Sequence, residues 1–240
     1  MEKRVFLVLL VVTLAAGGAF AQNMAMSAGG GATFAAAFTN VAWTSDGKDY
    51  LDKNDIAKDS MDVNYAGGGF FGFFDATYVM ASLGLTFYNV SPANKDAREA
   101  LKDAKITNSM SEFNIGVYGK YPFDMGKMVL FPILGADIKL TLARTTKIDG
   151  TNYEYNSSRG DGYGRAPLPI SDLSAMWIKG GVGVDVPLSD KLYLRPIFMY
   201  GLGFRNNRQK YDDATINEDK NLMAYVNHGL DIKVAVGYKL

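Results

Sequence analysis

Eight charged residues stand at alternating positions inside otherwise apolar stretches: Lys120, Asp137, Lys139, Lys179, Asp185, Arg195, Asp231 and Lys233. Charges held away from water are costly unless they pair, and the near balance of signs suits a paired network that occludes the axis. Groups that could do catalysis are scarce. The only histidine is His228, and neither Ser nor Asp stands two residues from it, so no base with an adjacent nucleophile is expected. The acidic stretch "DYLDKNDIAKDSMD" offers Asp52, Asn54 and Asp55 as calcium ligands. It lacks the glycine that an EF-hand loop needs at its sixth position, and reads as a solvated loop. No catalytic, metal or cofactor site is expected, and the protein is read as a non-enzyme.

The elements that must position these charges are strands. Alternating segments longer than the usual strand of a soluble sheet recur at about 32–43, 63–74, 76–88, 111–123, 128–145, 174–187, 191–206 and 224–240. The intervals between them alternate in length. "SDGKDYLDKNDIAKDSM", "SPANKDAREALKDAKITN", "KIDGTNYEYNSSRGDGYGRAPLPISD" and "NRQKYDDATINEDKN" are long and polar, while "DA" around Asp75, "DMGK" and "PLSD" are tight. Short turns on one side and long loops on the other predict an all-β fold, an eight-stranded antiparallel up-and-down transmembrane β-barrel with periplasmic turns and extracellular loops. A sheet in hydrocarbon must leave no edge, so the last strand, "HGLDIKVAVGYKL", is expected to pair with the first.

The front of the chain agrees with this location. "MEKRVFLVLLVVTLAAGGAFA" has Lys3 and Arg4, a short apolar run and an A-x-A end, the pattern of a cleaved secretory signal over 1–21. Its apolar run is short of the roughly 20 residues that a helical span needs. A periplasmic segment over 22–31 and a barrel over 32–240 complete the expected organisation. There is no cysteine, hence no disulfide framework and no cysteine-linked lipid anchor. The 25 basic and 25 acidic residues balance, which gives no reason to expect nucleic acid as a partner.

Parity assigns the faces. In the fifth strand Leu130, Leu134, Ala136, Ile138, Leu140 and Leu142 oppose Asp137, Lys139 and Thr141, and the sixth and seventh strands divide in the same way. The charged face carries many glycines, as a narrow lumen requires, and the aliphatic face ends in Phe87, Tyr121, Phe123, Phe204 and Tyr238, as a girdle would. The interior charges fall at two levels, Lys120, Asp185 and Arg195 toward the turns and Asp137, Lys139, Lys179, Asp231 and Lys233 higher. His228 falls on the outer face near the loop rim. The first two strands are too rich in Ala and Gly for their faces to be assigned. "GVYGKYPFDMGKMVLFPI" and "GVGVDVPLSDKLYLRPI" form an internal repeat around a turn, with Pro132 and Pro196 in matching places, where bulges are expected. Ser91 as N-cap, Pro92 at the first helical position, and Ala97, Leu101 and Ala104 predict one short surface helix.

From its signal to Leu240 the chain resembles the small outer-membrane β-barrel proteins, the class of the OmpA membrane domain, OmpX and OmpW. "GFFDATYV" and "YPFDMGKMVLFPILGADIKL" are similar to uncharacterised members of an outer-membrane β-barrel family. The resemblance implies outer-membrane lipid and the barrel assembly machinery as partners. The class's C-terminal assembly signal is matched at Lys233 and Tyr238, with Ala235 in place of its glycine and Leu240 in place of its final aromatic. In the longest loop Arg159, Gly160 and Asp161 resemble the integrin-binding tripeptide of adhesive proteins. The expected role is structural or interactive, through surface loops that could meet an extracellular ligand. Two alternatives stand beside it: a narrow conduit for small molecules, hydrophobic ones among them, as the OmpW resemblance implies, and an adhesin acting through the loop.

Overall fold

A computed structural model describes residues 25–43, 63–92, 105–148, 151–154, 175–204 and 223–240, with the isolated positions Asp52, Lys95, Glu99, Lys102 and Asp103. Eight long strands make up the wall: β1 Met26–Trp43, β2 Val63–Ala76, β3 Val79–Pro92, β4 Ile106–Lys120, β5 Val129–Ile148, β6 Ala175–Pro187, β7 Leu192–Phe204 and β8 Met223–Lys239. Two short pieces, Phe123–Asp124 and Thr151–Glu154, extend the two ends of β5 as local hairpins. Every neighbouring pair in sequence is antiparallel, β5 returns to β4, and β1 pairs with β8, so the sheet closes on itself. The seam runs from Ser27 opposite Lys239 to Trp43 opposite Met223, and the Leu240 amide donates to the Met26 carbonyl at 3.0 Å.

The first strand begins at Met26, six residues before the position read from the sequence. Met26–Gly31, expected outside the barrel, carries strand pairing on both sides. The alanines and glycines there have no alternation to show where pairing starts. The first tight turn also falls later than expected, at Thr77 and Tyr78, with Thr77 at φ 56°. Asp75 is therefore a strand residue and not a turn residue. In the second turn Gly126, at φ 80°, donates its amide to Asp124 Oδ1 at 2.7 Å, a geometry that favours glycine. In the third, Ser189 Oγ accepts the Leu192 amide at 3.1 Å.

Neither Pro132 nor Pro196 sits at a bulge. The β4–β5 ladder ends at Ile133, one residue short of Pro132, where Tyr121 donates to the Pro132 carbonyl at 3.3 Å and proline has no amide to return. The register shift lies instead between Ser111 and Glu112, whose partners on β5 are Ala143 and Thr141 and leave Leu142 as the extra residue. Ser91 and Pro92 end β3 and do not start a helix. Lys95, Glu99, Lys102 and Asp103 are helical, with Lys95 and Glu99 paired at 3.7 Å, and Asp52 is helical as well.

The wall is apolar outside. Leu134, Ile178, Val182, Phe198, Leu202 and Val234 all lie exposed, as do the girdle aromatics Phe87, Tyr121, Phe123, Phe204 and Tyr238. In water such a band would be an aggregation surface; in hydrocarbon it is the solvated face. The structure also defines the faces of the first two strands. Thr33, Ala35, Ala37 and Thr39 point inward on β1 and Phe34 and Phe38 outward, while on β2 Phe71, Phe73 and Asp75 are inside and Phe70 and Phe74 outside.

Candidate functional site

The lumen holds the chemistry-bearing residues, and glycine makes room for them. A Cβ on Gly183 would overlap the Phe131 ring, and one on Gly237 would overlap the Tyr193 ring. These large side chains lie across the inward glycines of the neighbouring strands, which lets a narrow barrel fill itself to protein density.

Toward the turn end, Arg195 on β7 is the centre of one charged layer and is 1% exposed. Its Nε and Nη2 donate to Asp185 Oδ1 and Oδ2 at 2.6 and 2.7 Å, and its Nη1 lies 2.5 Å from Asp75 Oδ2. Lys120 Nζ approaches the same Asp75 oxygen at 2.7 Å. The guanidinium carbon is 4.7 Å from the Phe73 ring centre, 4.8 Å from Tyr193 and 5.1 Å from Phe131, so aromatic faces cover what carboxylates do not. Two cations and two carboxylates make this layer neutral in itself.

An apolar layer follows, in which Met80, Tyr118, Ile133, Ile197 and Met199 are buried together. Above it Lys179 donates to both Asp137 and Asp231, and the Tyr118 hydroxyl donates to Asp137. Lys139 Nζ lies 3.9 Å from Glu112, donates to the Tyr88 hydroxyl at 3.1 Å and sits 4.5 Å from the Trp177 ring centre. Lys233 has no carboxylate within 4 Å among the described residues. It lies 5.0 Å from the Phe71 ring centre and 5.6 Å from that of Tyr118. This layer also balances, with Lys139, Lys179 and Lys233 against Glu112, Asp137 and Asp231.

All eight charged residues singled out in the sequence thus point into the barrel, at two levels. Asp75 and Glu112 join them, and the sequence reading omits both. Asp75 is hidden by the misplaced turn, whereas Glu112 shares the parity of Lys120 and could be found from that alone. Two small spaces border the upper layer among the described residues. One cavity, of about 10 Å³, is lined by Asn114, Asp137, Lys139, Lys179, Asp231 and Lys233, and another, of about 20 Å³, by Tyr65, Tyr88, Glu112, Lys139, Trp177 and Asn227. Each is the size of a water site. Asn114 Oδ1 is buried without a partner beside the first.

His228 is on the outer wall, stacked on Phe38 with ring centres 5.3 Å apart, its Nε2 3.3 Å from Asn40 Nδ2 and its Nδ1 3.0 Å from the Tyr200 hydroxyl. It faces no carboxylate or nucleophile in these contacts. Tyr238 and Leu240 of the assembly signal are exposed at the turn end, and Lys233 points inward. Arg159, Gly160 and Asp161 lie outside the described residues, as do Asn54 and Asp55.

No protein-family model matches the chain, and no curated protein does. Among solved structures it is similar to Neisserial surface protein A (NspA) at 10% identity, covering 90% of this chain and 97% of that one, with a TM-score of 0.41. It is also similar to a major outer membrane protein from Thermus thermophilus, at 10% identity over 87% of this chain and 99% of that one, TM-score 0.37. A third likeness is to the outer membrane protease OmpT from Escherichia coli, at 8% identity over 92% and 98%, TM-score 0.37. The closed antiparallel ring, with hydrocarbon-compatible residues outside and paired charges inside, is the architecture of an integral protein of the bacterial outer membrane.

Proposed function

We propose that the protein is a sealed outer-membrane barrel whose role is structural or interactive, exercised through the segments that join its strands at the loop end. The observation that carries this reading is the packing of the lumen among the described residues: two self-neutral charged layers with an apolar layer between them, and two cavities beside the upper layer that are each the size of a water site. A solute could pass only if Arg195 released Asp75 and Asp185 and if Lys179 released Asp137 and Asp231, each release leaving buried charges unpaired. The conduit reading needs space in the upper lumen, and Tyr88, Trp177 and Lys139 occupy it. No catalytic role is proposed, because the lone histidine is bonded to Asn40 and Tyr200 on the lipid-facing wall. Liposomes reconstituted with the protein should swell in isosmotic sugar no faster than empty ones. Swelling at a rate that scales inversely with sugar size would replace this reading with a diffusion pore.

A further inference from the structure

Among the described residues, Lys233 is the cation of the upper layer that meets no carboxylate within 4 Å, although it is 7% exposed. It stands on β8, and β4 lies four strands away around the ring in either direction, so the two strands face each other across the lumen. The Lys233 side chain makes that crossing: its Nζ lies 5.0 Å from the Phe71 ring centre on β2 and 5.6 Å from that of Tyr118 on β4. Aromatic faces attract an ammonium group but leave its three hydrogens without a lone pair to meet. Asn114 on β4 has the opposite deficit. Its Nδ2 donates to Thr86 Oγ1 at 2.8 Å, and its Oδ1 is buried without a partner. A donor in surplus and an acceptor in need thus line one cavity of about 10 Å³, together with Asp137, Lys139, Lys179 and Asp231.

We propose that this cavity is a binding site for a single water molecule, which accepts a hydrogen from Lys233 Nζ, donates one to Asn114 Oδ1 and so joins β8 to β4 across the barrel. The volume admits one water, and the two side chains supply the polar partners that a buried water needs. The chemistry of the lining selects it. A halide would accept from Lys233 but has no hydrogen for Asn114 Oδ1, and it would add a charge to a layer in which Lys139, Lys179 and Lys233 already balance Glu112, Asp137 and Asp231. A metal cation would suit Asn114 Oδ1 but would stand against three ammonium groups in the lining. Water offers both a lone pair and a hydrogen. The site rests on the packed-lumen reading and deepens it: a buried carbonyl oxygen without a hydrogen bond is costly, so the water belongs to the folded barrel and completes a second crossbar above that of Arg195.

The test is a crystal structure of the purified protein, grown from bromide and at a resolution that shows ordered water. One density peak should stand within hydrogen-bond distance of both Lys233 Nζ and Asn114 Oδ1, with no anomalous signal at the bromine edge. Asn114→Leu keeps the size of the side chain and removes the acceptor, and should lose the peak. Should that variant fail to migrate as a folded barrel on unheated gels, Lys233→Met removes the donor instead, and the same loss is expected. An anomalous peak in the cavity would put an anion in place of the water and overturn the proposal. A wild-type cavity without density, or a peak that persists in the substituted protein, would overturn it as well. None of these results touches the sealed-barrel reading, which the swelling of liposomes decides separately.

Discussion

Arg195 Nη1 on β7 lies 2.5 Å from Asp75 Oδ2 on β2, and two strands, β1 and β8, separate the pair around the ring. The contact is a crossbar, reaching across the lumen where wall neighbours cannot. Removing the arginine would take the cation from Asp185 and leave Asp75 with Lys120 alone. Arg195→Met is therefore expected to lower stability by ~3–5 kcal/mol, read as the shift in urea midpoint of the folded barrel in lipid vesicles. Arg195→Lys keeps the charge but loses the fork that grips Asp185, and should fall between the two. A midpoint for Arg195→Met equal to that of the wild type would show that the crossbar does not form.

The inward glycines give a second prediction. Gly237→Ala drives a methyl group into the Tyr193 ring, whose hydroxyl meets Ser27 Oγ at 2.6 Å. Overpacking of this kind costs ~1–3 kcal/mol. Gly72, on the outer face, has its nearest neighbour at 3.6 Å and should accept alanine without loss. Equal tolerance of the two substitutions in the same unfolding assay would contradict the inward and outward assignment.

Much of this arrangement is legible in the sequence, and the illegible parts have physical causes. A charge among alternating aliphatics declares its face by parity, as Asp137, Lys179 and Asp231 do. Parity fails in β1 and β2, where Ala35 and Ala36, or Gly67 and Gly68, differ in face but not in character. It also fails wherever a turn or a bulge moves the count by a residue: Asp75 reads as part of a turn, and the bulge at Leu142 leaves no mark in composition. Which charges meet is beyond parity altogether. Lys179 reaches Asp231 two strands away because the strands are staggered around the ring, and stagger is a property of the closed sheet.

The lipid face can be tested on its own. Val182 is half exposed in the middle of the outer wall, and an arginine there should cost ~2–4 kcal/mol in a bilayer. Lys191, exposed at the turn end beside the Tyr238 ring, should tolerate arginine without measurable loss. Similar losses at both positions in vesicle unfolding would place the hydrocarbon boundary elsewhere.

The C-terminal strand bears on assembly. Tyr238 is exposed on the outer face and Leu240 follows at the turn end, so both could be presented to the assembly machinery that the resemblance implies. Leu240→Phe restores the final aromatic and should raise the fraction of protein that becomes heat-modifiable in outer membranes. Tyr238→Ala should lower it. Identical fractions for the two variants would remove this strand from recognition.

The most direct test of the central claim, that paired side chains seal the lumen, is single-channel recording of the purified protein in planar bilayers. The ion-paired layers at Arg195 and Lys179 predict a silent membrane with no stable conductance steps in the wild type, and a membrane that stays silent in a combined Asp75→Ala and Arg195→Ala variant, where the Lys179 layer still closes the lumen. Stable wild-type steps of porin size would contradict the account.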